Sequence, residues 1–300
     1  QNAGRVNAQD FSGVENLGGG SGNDDFLFAD GAMVDGVIDG GAGINTMDFA
    51  AYSGAVALRL LGASETSATS GVRNVQRIQG GSSADDRLRG SDENSTWTIE
   101  GRDEGSVGGV QFTGFENLDG GSGRDNFLFS AGGAVSGRID GGAGFNKLGY
   151  STFGAAVTLD LATGEATGTG GFQNIQRFVG SAFADTLVGA DTPTLWSITS
   201  DGTGTANGFQ FTGIENLRGG SGDDRFLLEG DAEISGSIDG GSGVNTLDYS
   251  YHDPGVSADV AAGSATGTGG ISAITDFVGS LGEDTLHGPA ADSTWYIDGD

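Results

Sequence analysis

Residues Glu15–Phe28 read "ENLGGGSGNDDFLF", and nearly the same words return as "ENLDGGSGRDNFLF" at Glu116–Phe129 and "ENLRGGSGDDRFLL" at Glu215–Leu228. Each copy enters on a Glu-Asn-Leu triplet, turns through glycines and leaves on an apolar burst. Trp97, Trp196 and Trp295 recur at a similar interval, in "TWTI", "LWSI" and "TWYI". Self-similarity at a fixed period marks a repeat architecture and outranks any local signal. The repeats are expected to run 1–101, 102–200 and 201–300.

A shorter rhythm lies inside each repeat. The middle copy divides into about five segments of ~20 residues, each holding two or three apolar bursts separated by Gly, Asn, Asp or Ser. Short strands joined by glycine corners at that period suit the coils of a solenoid. The expected fold is all-β: a parallel β-solenoid, β-helix-like or β-roll-like, continuous through the three repeats. Ile38, Ile139 and Ile238 are expected to point inward and stack from coil to coil. Asn16, Asn117 and Asn216, with Asn45, Asn146 and Asn245, are candidates for amide ladders along the corners. The rival is one immunoglobulin-like sandwich per repeat. Sandwich strands alternate over longer runs and need far less glycine.

Composition agrees with a rod of turns. There are 60 glycines and only 3 prolines, so the chain turns often without being a proline-rich linker. No apolar run approaches the ~20 residues of a membrane-spanning helix. The 41 acidic and 13 basic residues leave a net charge of −28, which excludes a binder of nucleic-acid phosphates. Such a surface suits a secreted, cell-surface or cation-binding protein. Cysteine is absent, so disulfides and thiolate metal sites play no part. No capping repeat is visible, and the last residues stop near the point in the repeat where the first begin. That favours a longer array, or a unit continuing head to tail.

Within the opening stretch, "GGSGNDDFL" at Gly19–Leu27 fits G-G-x-G-x-D-x-U-x, as do Gly120–Leu128 and Gly219–Leu227. The chain thereby resembles the glycine-rich repeats of RTX, or haemolysin-type calcium-binding, proteins, and in particular the degenerate repeat regions of giant secreted bacterial adhesins and fibres. The resemblance implies Ca²⁺ held between stacked turns, with the aspartate slot at Asp24, Asp125 and Asp224 and the apolar slot at Phe26, Phe127 and Phe226. Such a cation takes six to eight hard oxygens, backbone carbonyls included. The next turn, "GGAGINTMD" from Gly40, carries Asn45 in that slot, and its equivalents carry Asn146 and Asn245. Asp39, Asp140 and Asp239, in the recurring "IDGG", are further candidate ligands. A third turn keeps an aspartate (Asp86, Asp185, Asp284) but fewer glycines. One paired site per repeat is therefore the most that is expected. The other reading is that these are glycine corners with no ion at all.

Other residues point elsewhere. The three tryptophans are expected in the core or covering a strand edge, ahead of a sugar platform. His252 and His287 occur only in the last copy and are expected on the surface. The threonines of Ala265–Gly270 do not recur on every coil, which disfavours an ice-binding face. No serine, histidine and aspartate set suggests a nucleophile, and no break in the repeat suggests an active site. The expected function is non-enzymatic: a segment of an extracellular filament, sheath or adhesin stalk, partnered by itself and by cell-surface glycans. The alternatives are a calcium-dependent folding and secretion module, and a polysaccharide-binding or polysaccharide-cleaving β-helix.

Overall fold

The structure is a computed structural model that describes residues 2–62 and 71–297. Gln1 and Asp300, the outer bounds of the first and third repeats, lie outside the described residues. The fold is an all-β solenoid of stacked parallel strands, with no helix among the described residues. Two compact units divide the chain: Gln1–Ala155 with Glu165–Arg177, and Ala156–Gly164 with Phe178–Asp300.

In the first unit, apolar residues at equivalent slots lie directly over one another. Leu17 pairs with Ile38 and Ile38 with Val72, while Leu58, Leu88, Leu118, Ile139 and Phe172 form a second column. On the opposite side Phe26, Met47 and Ile78 stack in register, as do Trp97, Phe127 and Leu148. The expected inward isoleucines are buried, Ile38 at 4% exposure and Ile139 and Ile238 at 0%. Burial of each such side chain contributes roughly 2 kcal/mol. Aromatic rings reinforce the columns: Trp97 stacks on Phe127 at 5.5 Å and Phe129 on Tyr150 at 4.7 Å between centroids. The Tyr150 hydroxyl donates to the Thr167 carbonyl at 2.6 Å, and burial pushes its pKa far up.

Chain order and stacking order differ, which period alone does not reveal. Gly71–Arg73 pairs with Val37–Asp39, yet Ala57–Arg59, which precedes it in the chain, pairs with Arg87–Arg89. The chain steps ahead and then returns. The opposite side does the same. Ser95–Gly101 pairs with Asp125–Ser130, and the antiparallel hairpin Glu104–Val107 and Val110–Thr113 then folds back onto Arg77–Gln79. Neighbouring turns are thereby interlocked, because no turn can leave without breaking ladders to strands far away in sequence.

The second unit repeats the device. Leu195–Ser200 pairs with Arg225–Leu228 and carries the hairpin Thr203–Ala206 and Phe209–Thr212. Ser257–Asp259 pairs with Thr285–His287 on one side and antiparallel with Ser264–Ala265 on the other. Trp196, Phe226 and Leu247 are fully buried.

Candidate functional site

In its second and third copies the recurring Glu-Asn-Leu triplet is a clamp. The Glu116 carboxylate accepts the Asp86 N–H at 3.0 Å, while the Asn117 N–H and side-chain amide both donate to the Asp86 carbonyl. In the second unit Glu215 and Asn216 hold Asp185 in the same way, the Glu215 contact at 2.7 Å. Leucine then enters the core, so the triplet ties one turn to the turn beneath it.

The aspartate turns fall into two kinds. In the turns led by Gly19, Gly120 and Gly219, one oxygen of Asp24, Asp125 and Asp224, Oδ2, is buried without a hydrogen-bond partner. Asp125 and Asp224 do use Oδ1, which accepts the N–H of Ser95 at 3.0 Å and of Thr194 at 2.8 Å. The unpartnered oxygen lies against the α-carbon of the leading glycine. A Cβ at Gly19, Gly120 or Gly219 would sit 2.6, 2.4 or 2.3 Å from it. The same Cβ would meet the carbonyl oxygen of Gly40, Gly141 or Gly240 at 2.5, 2.6 or 2.3 Å. Glycine is required here for space, since two acceptors converge on one spot with no donor between them. Burial raises the pKa of Asp125 and Asp224, with the hydrogen bonds from Ser95 and Thr194 opposing it.

The Asp86, Asp185 and Asp284 turns use both oxygens. Asp185 Oδ1 accepts the Val157 N–H at 2.7 Å and the Ser181 hydroxyl at 2.8 Å, and Oδ2 accepts the Ser181 N–H at 2.5 Å. Asp86 binds the Val56 and Gly81 N–H groups, and Asp284 binds those of Val256 and Ser280.

The asparagines bond to backbone groups and not to one another as an amide ladder. Asn45, Asn146 and Asn245 are fully buried pins between turns. Each Oδ1 accepts the N–H of Asp24, Asp125 or Asp224 at 2.9–3.0 Å. Each Nδ2 donates to the carbonyl of Asn74, Asn174 or Ala273 in another turn, at 2.8, 3.0 and 3.1 Å. Asn16, Asn117 and Asn216 likewise accept backbone N–H groups, from Val37, Arg138 and Ser237. A backbone donor or acceptor in the next turn satisfies the amide better than a second amide at ladder spacing.

Asp39, Asp140 and Asp239 face other partners. Asp39 accepts from the Asn74 amide and the Gly41 N–H and pairs with Arg73, the Asn74 bond being the largest cause of its lowered pKa. For Asp140 burial works the other way, and the Asn174, Gly142 and Gln173 donors outweigh it, lowering the pKa. Asp239 accepts the Gly241 N–H and lies 3.6 Å from Arg218. The structure thus joins Asp24-type and Asn45-type residues directly and engages the Asp39 type elsewhere. Among the described residues, no three His, Cys, Asp or Glu side chains converge to hold a metal ion. Carbonyl and amide oxygens would therefore have to complete any cation site.

Two further expectations concern single residues. Trp97 and Trp196 are core residues at 0% exposure. His287 is exposed, but His252 is buried at 6%, correcting its expected surface position. Its ring packs edge-on to Tyr249, and Nδ1 lies 2.9 Å from the Pro254 carbonyl. No protein-family model matches the chain, and no curated protein matches it in sequence.

Proposed function

We propose that the chain is a non-catalytic structural segment of an extracellular filament, sheath or adhesin stalk. One observation carries this reading: the polar residues that recur from repeat to repeat are spent on bonds between turns. Glu116 and Asn117 clamp Asp86, Asn146 pins Asp125 to the Asn174 backbone, and Asp185 gathers the donors of Val157 and Ser181. The chemistry that repeats is the chemistry of stacking. An acidic, cysteine-free exterior with net charge −28 suits an exposed position outside the cell and resists unspecific association. Partners in this role are further copies of the same fold and, at the surface, glycans.

Pulling the chain from its two ends by single-molecule force spectroscopy tests the reading. Interlocked turns give a few large, cooperative rupture events. Smooth extension at low force contradicts the stalk reading.

A second reading has one specific observation in its favour, the unpartnered Oδ2 of Asp24, Asp125 and Asp224. With the carbonyl of Gly40, Gly141 or Gly240, this oxygen is the natural start of a Ca²⁺ site, and the ion would neutralise a buried charge. On this reading calcium raises the melting midpoint above that in chelator, and the gain disappears in Asp125→Asn/Asp224→Asn. An unchanged midpoint with calcium removes the reading.

A further inference from the structure

Polar residues that recur unchanged are spent on stacking, but one set of neighbouring outer slots changes character in the middle copy. In the first copy Asp25 pairs with Thr46 and Thr46 with Arg77, while Asn23 sits at the corner before them. Asp25 and Arg77 cancel. In the third copy Arg225 pairs with Thr246 and Thr246 with Asp276, and Asp223 takes the corner, for a sum of −1. The middle copy has Arg124 at the corner, then Asn126, Lys147 and Arg177, for a sum of +3. This patch stands on a chain of net charge −28.

The patch is set closely. Asn126 pairs with Lys147, and the Arg177 N–H donates to the Asn146 carbonyl at 3.1 Å, as that of Arg77 does to Asn45 at 3.2 Å. Lys147 and Arg177 therefore lie on adjacent strands, about 4.8 Å apart along the stack. Like charges at such places oppose folding. Arg59, Arg73 and Arg87 in the same unit each pair with an aspartate, whereas Arg124, Lys147 and Arg177 form no ion pair among the described residues. Arg124 also gives up a bond. Asn23 accepts the Ile44 N–H at 2.8 Å and Asp223 accepts the Val244 N–H at 2.7 Å, but a guanidinium has no acceptor to offer. It lies instead over the Phe145 ring, 5.7 Å from the centroid. The middle copy thus forgoes charge balance and a turn-to-turn bond, and gains three cations beside an aromatic face.

We infer that this patch binds an acidic glycan, a sugar chain carrying carboxylates among many hydroxyls. Arg124 and Arg177 offer planar forks to carboxylates, and Lys147 offers a point charge between strands. Asn126 and its cross-strand neighbour Thr96 supply hydrogen bonds for hydroxyls. The half-buried Phe145 ring offers an apolar face to the sugar ring. The surrounding acidity selects the anion. A polymer charged at every unit, such as nucleic acid, needs a broad basic footprint, which this surface lacks. A glycan with sparser carboxylates meets the patch and little repulsion beyond it. The inference rests on the surface role proposed above and names the class of glycan.

Calorimetric titration of the 300-residue chain with hyaluronan fragments tests it, with neutral chitin fragments as the control. Hyaluronan binds, chitin does not, and the affinity falls as salt rises. Arg124→Asn/Lys147→Thr installs the residues of the first copy, which the fold already accommodates, and weakens binding by about tenfold or more. Arg124→Asn alone raises the melting midpoint, because the turn-to-turn bond of Asn23 is restored. Absence of hyaluronan binding overturns the inference, as does unchanged affinity in the double variant. Equally tight binding of chitin or single-stranded DNA overturns it too, and so does a lowered midpoint in Arg124→Asn, which would make that arginine a structural residue. Force spectroscopy needs no sugar, so failure here is distinguishable from failure of the stalk reading.

Discussion

Asp185 and Asp224 both follow a glycine-led corner in the second unit, and both are buried, at 0% and 1% exposure. They differ in one oxygen. Asp185 has a donor for each, drawn from Val157 and Ser181, while Asp224 is served by Thr194 and has nothing on Oδ2. A buried carboxylate with full hydrogen bonding stabilises the fold; one with an idle oxygen costs desolvation without return. The turn with fewer glycines is thus the better-built structural element. The turn that matches the calcium pattern is the one left chemically incomplete.

The largest expected effect comes from emptying the complete turn. Asp185→Ala leaves the Val157 and Ser181 N–H groups buried without acceptors and is expected to cost about 3 kcal/mol. Urea unfolding measures this, and a loss under about 1 kcal/mol would mean that the turn contributes little. Next comes the pin. Asn146→Ala frees the Asp125 N–H and the Asn174 carbonyl together, for an expected loss of about 2 kcal/mol. Thermal and urea midpoints should agree in showing it.

A smaller effect is a gain. Asn74 and Asn174 hold φ near 55° and donate to Asp39 and Asp140, but the third copy has Ala273 at φ 53°, with no side-chain donor for Asp239. The left-handed region costs an alanine about 1 kcal/mol, and asparagine tolerates it better. Ala273→Asn is therefore expected to raise stability by about 1 kcal/mol, and a loss would show that Asp239 has no use for the amide.

The smallest effect concerns pH. Burial raises the folded-state pKa of Asp125 and Asp224 above the ordinary 3.8. Their contribution is complete below 3.8 and is lost as pH rises through the raised folded value. Asp39 and Asp140 are lowered, so theirs is present above 3.8 and is lost as pH falls through the depressed values. Asp125→Asn/Asp224→Asn should accordingly lose less stability than the parent as pH rises just above 3.8. Urea midpoints across that interval check the difference, and identical slopes would show that the titration of Asp125 and Asp224 does not bear on stability.

Much of this was legible in the chain. Repetition of Leu17, Leu118 and Leu217 announced the columns, and the glycine corners announced short strands. The ahead-and-back order of Ala57–Arg59 and Gly71–Arg73 was not legible, because spacing says where a strand lies and not which strand it meets. The asparagine slot was visible at Asn45, Asn146 and Asn245, but its partners are backbone groups, which carry no sequence signal. Counting glycines ranked the Asp185 turn lowest. The better cue was Ser181, four residues before Asp185, whose N–H and hydroxyl both serve that carboxylate. His252 read as a surface residue because nothing in its neighbourhood signals Tyr249 and Pro254 closing around it.

The same chemical change at the two turns tests the central claim most directly. Asp185→Asn and Asp224→Asn each exchange one carboxylate oxygen for an NH₂ group, and urea unfolding in calcium-free buffer compares them. Asp185→Asn sets a donor against donors and should lose about 2 kcal/mol. Asp224→Asn puts a donor where two acceptors converge and should be neutral or stabilising by up to about 1 kcal/mol. Equal losses, or a larger loss at Asp224, would contradict the account.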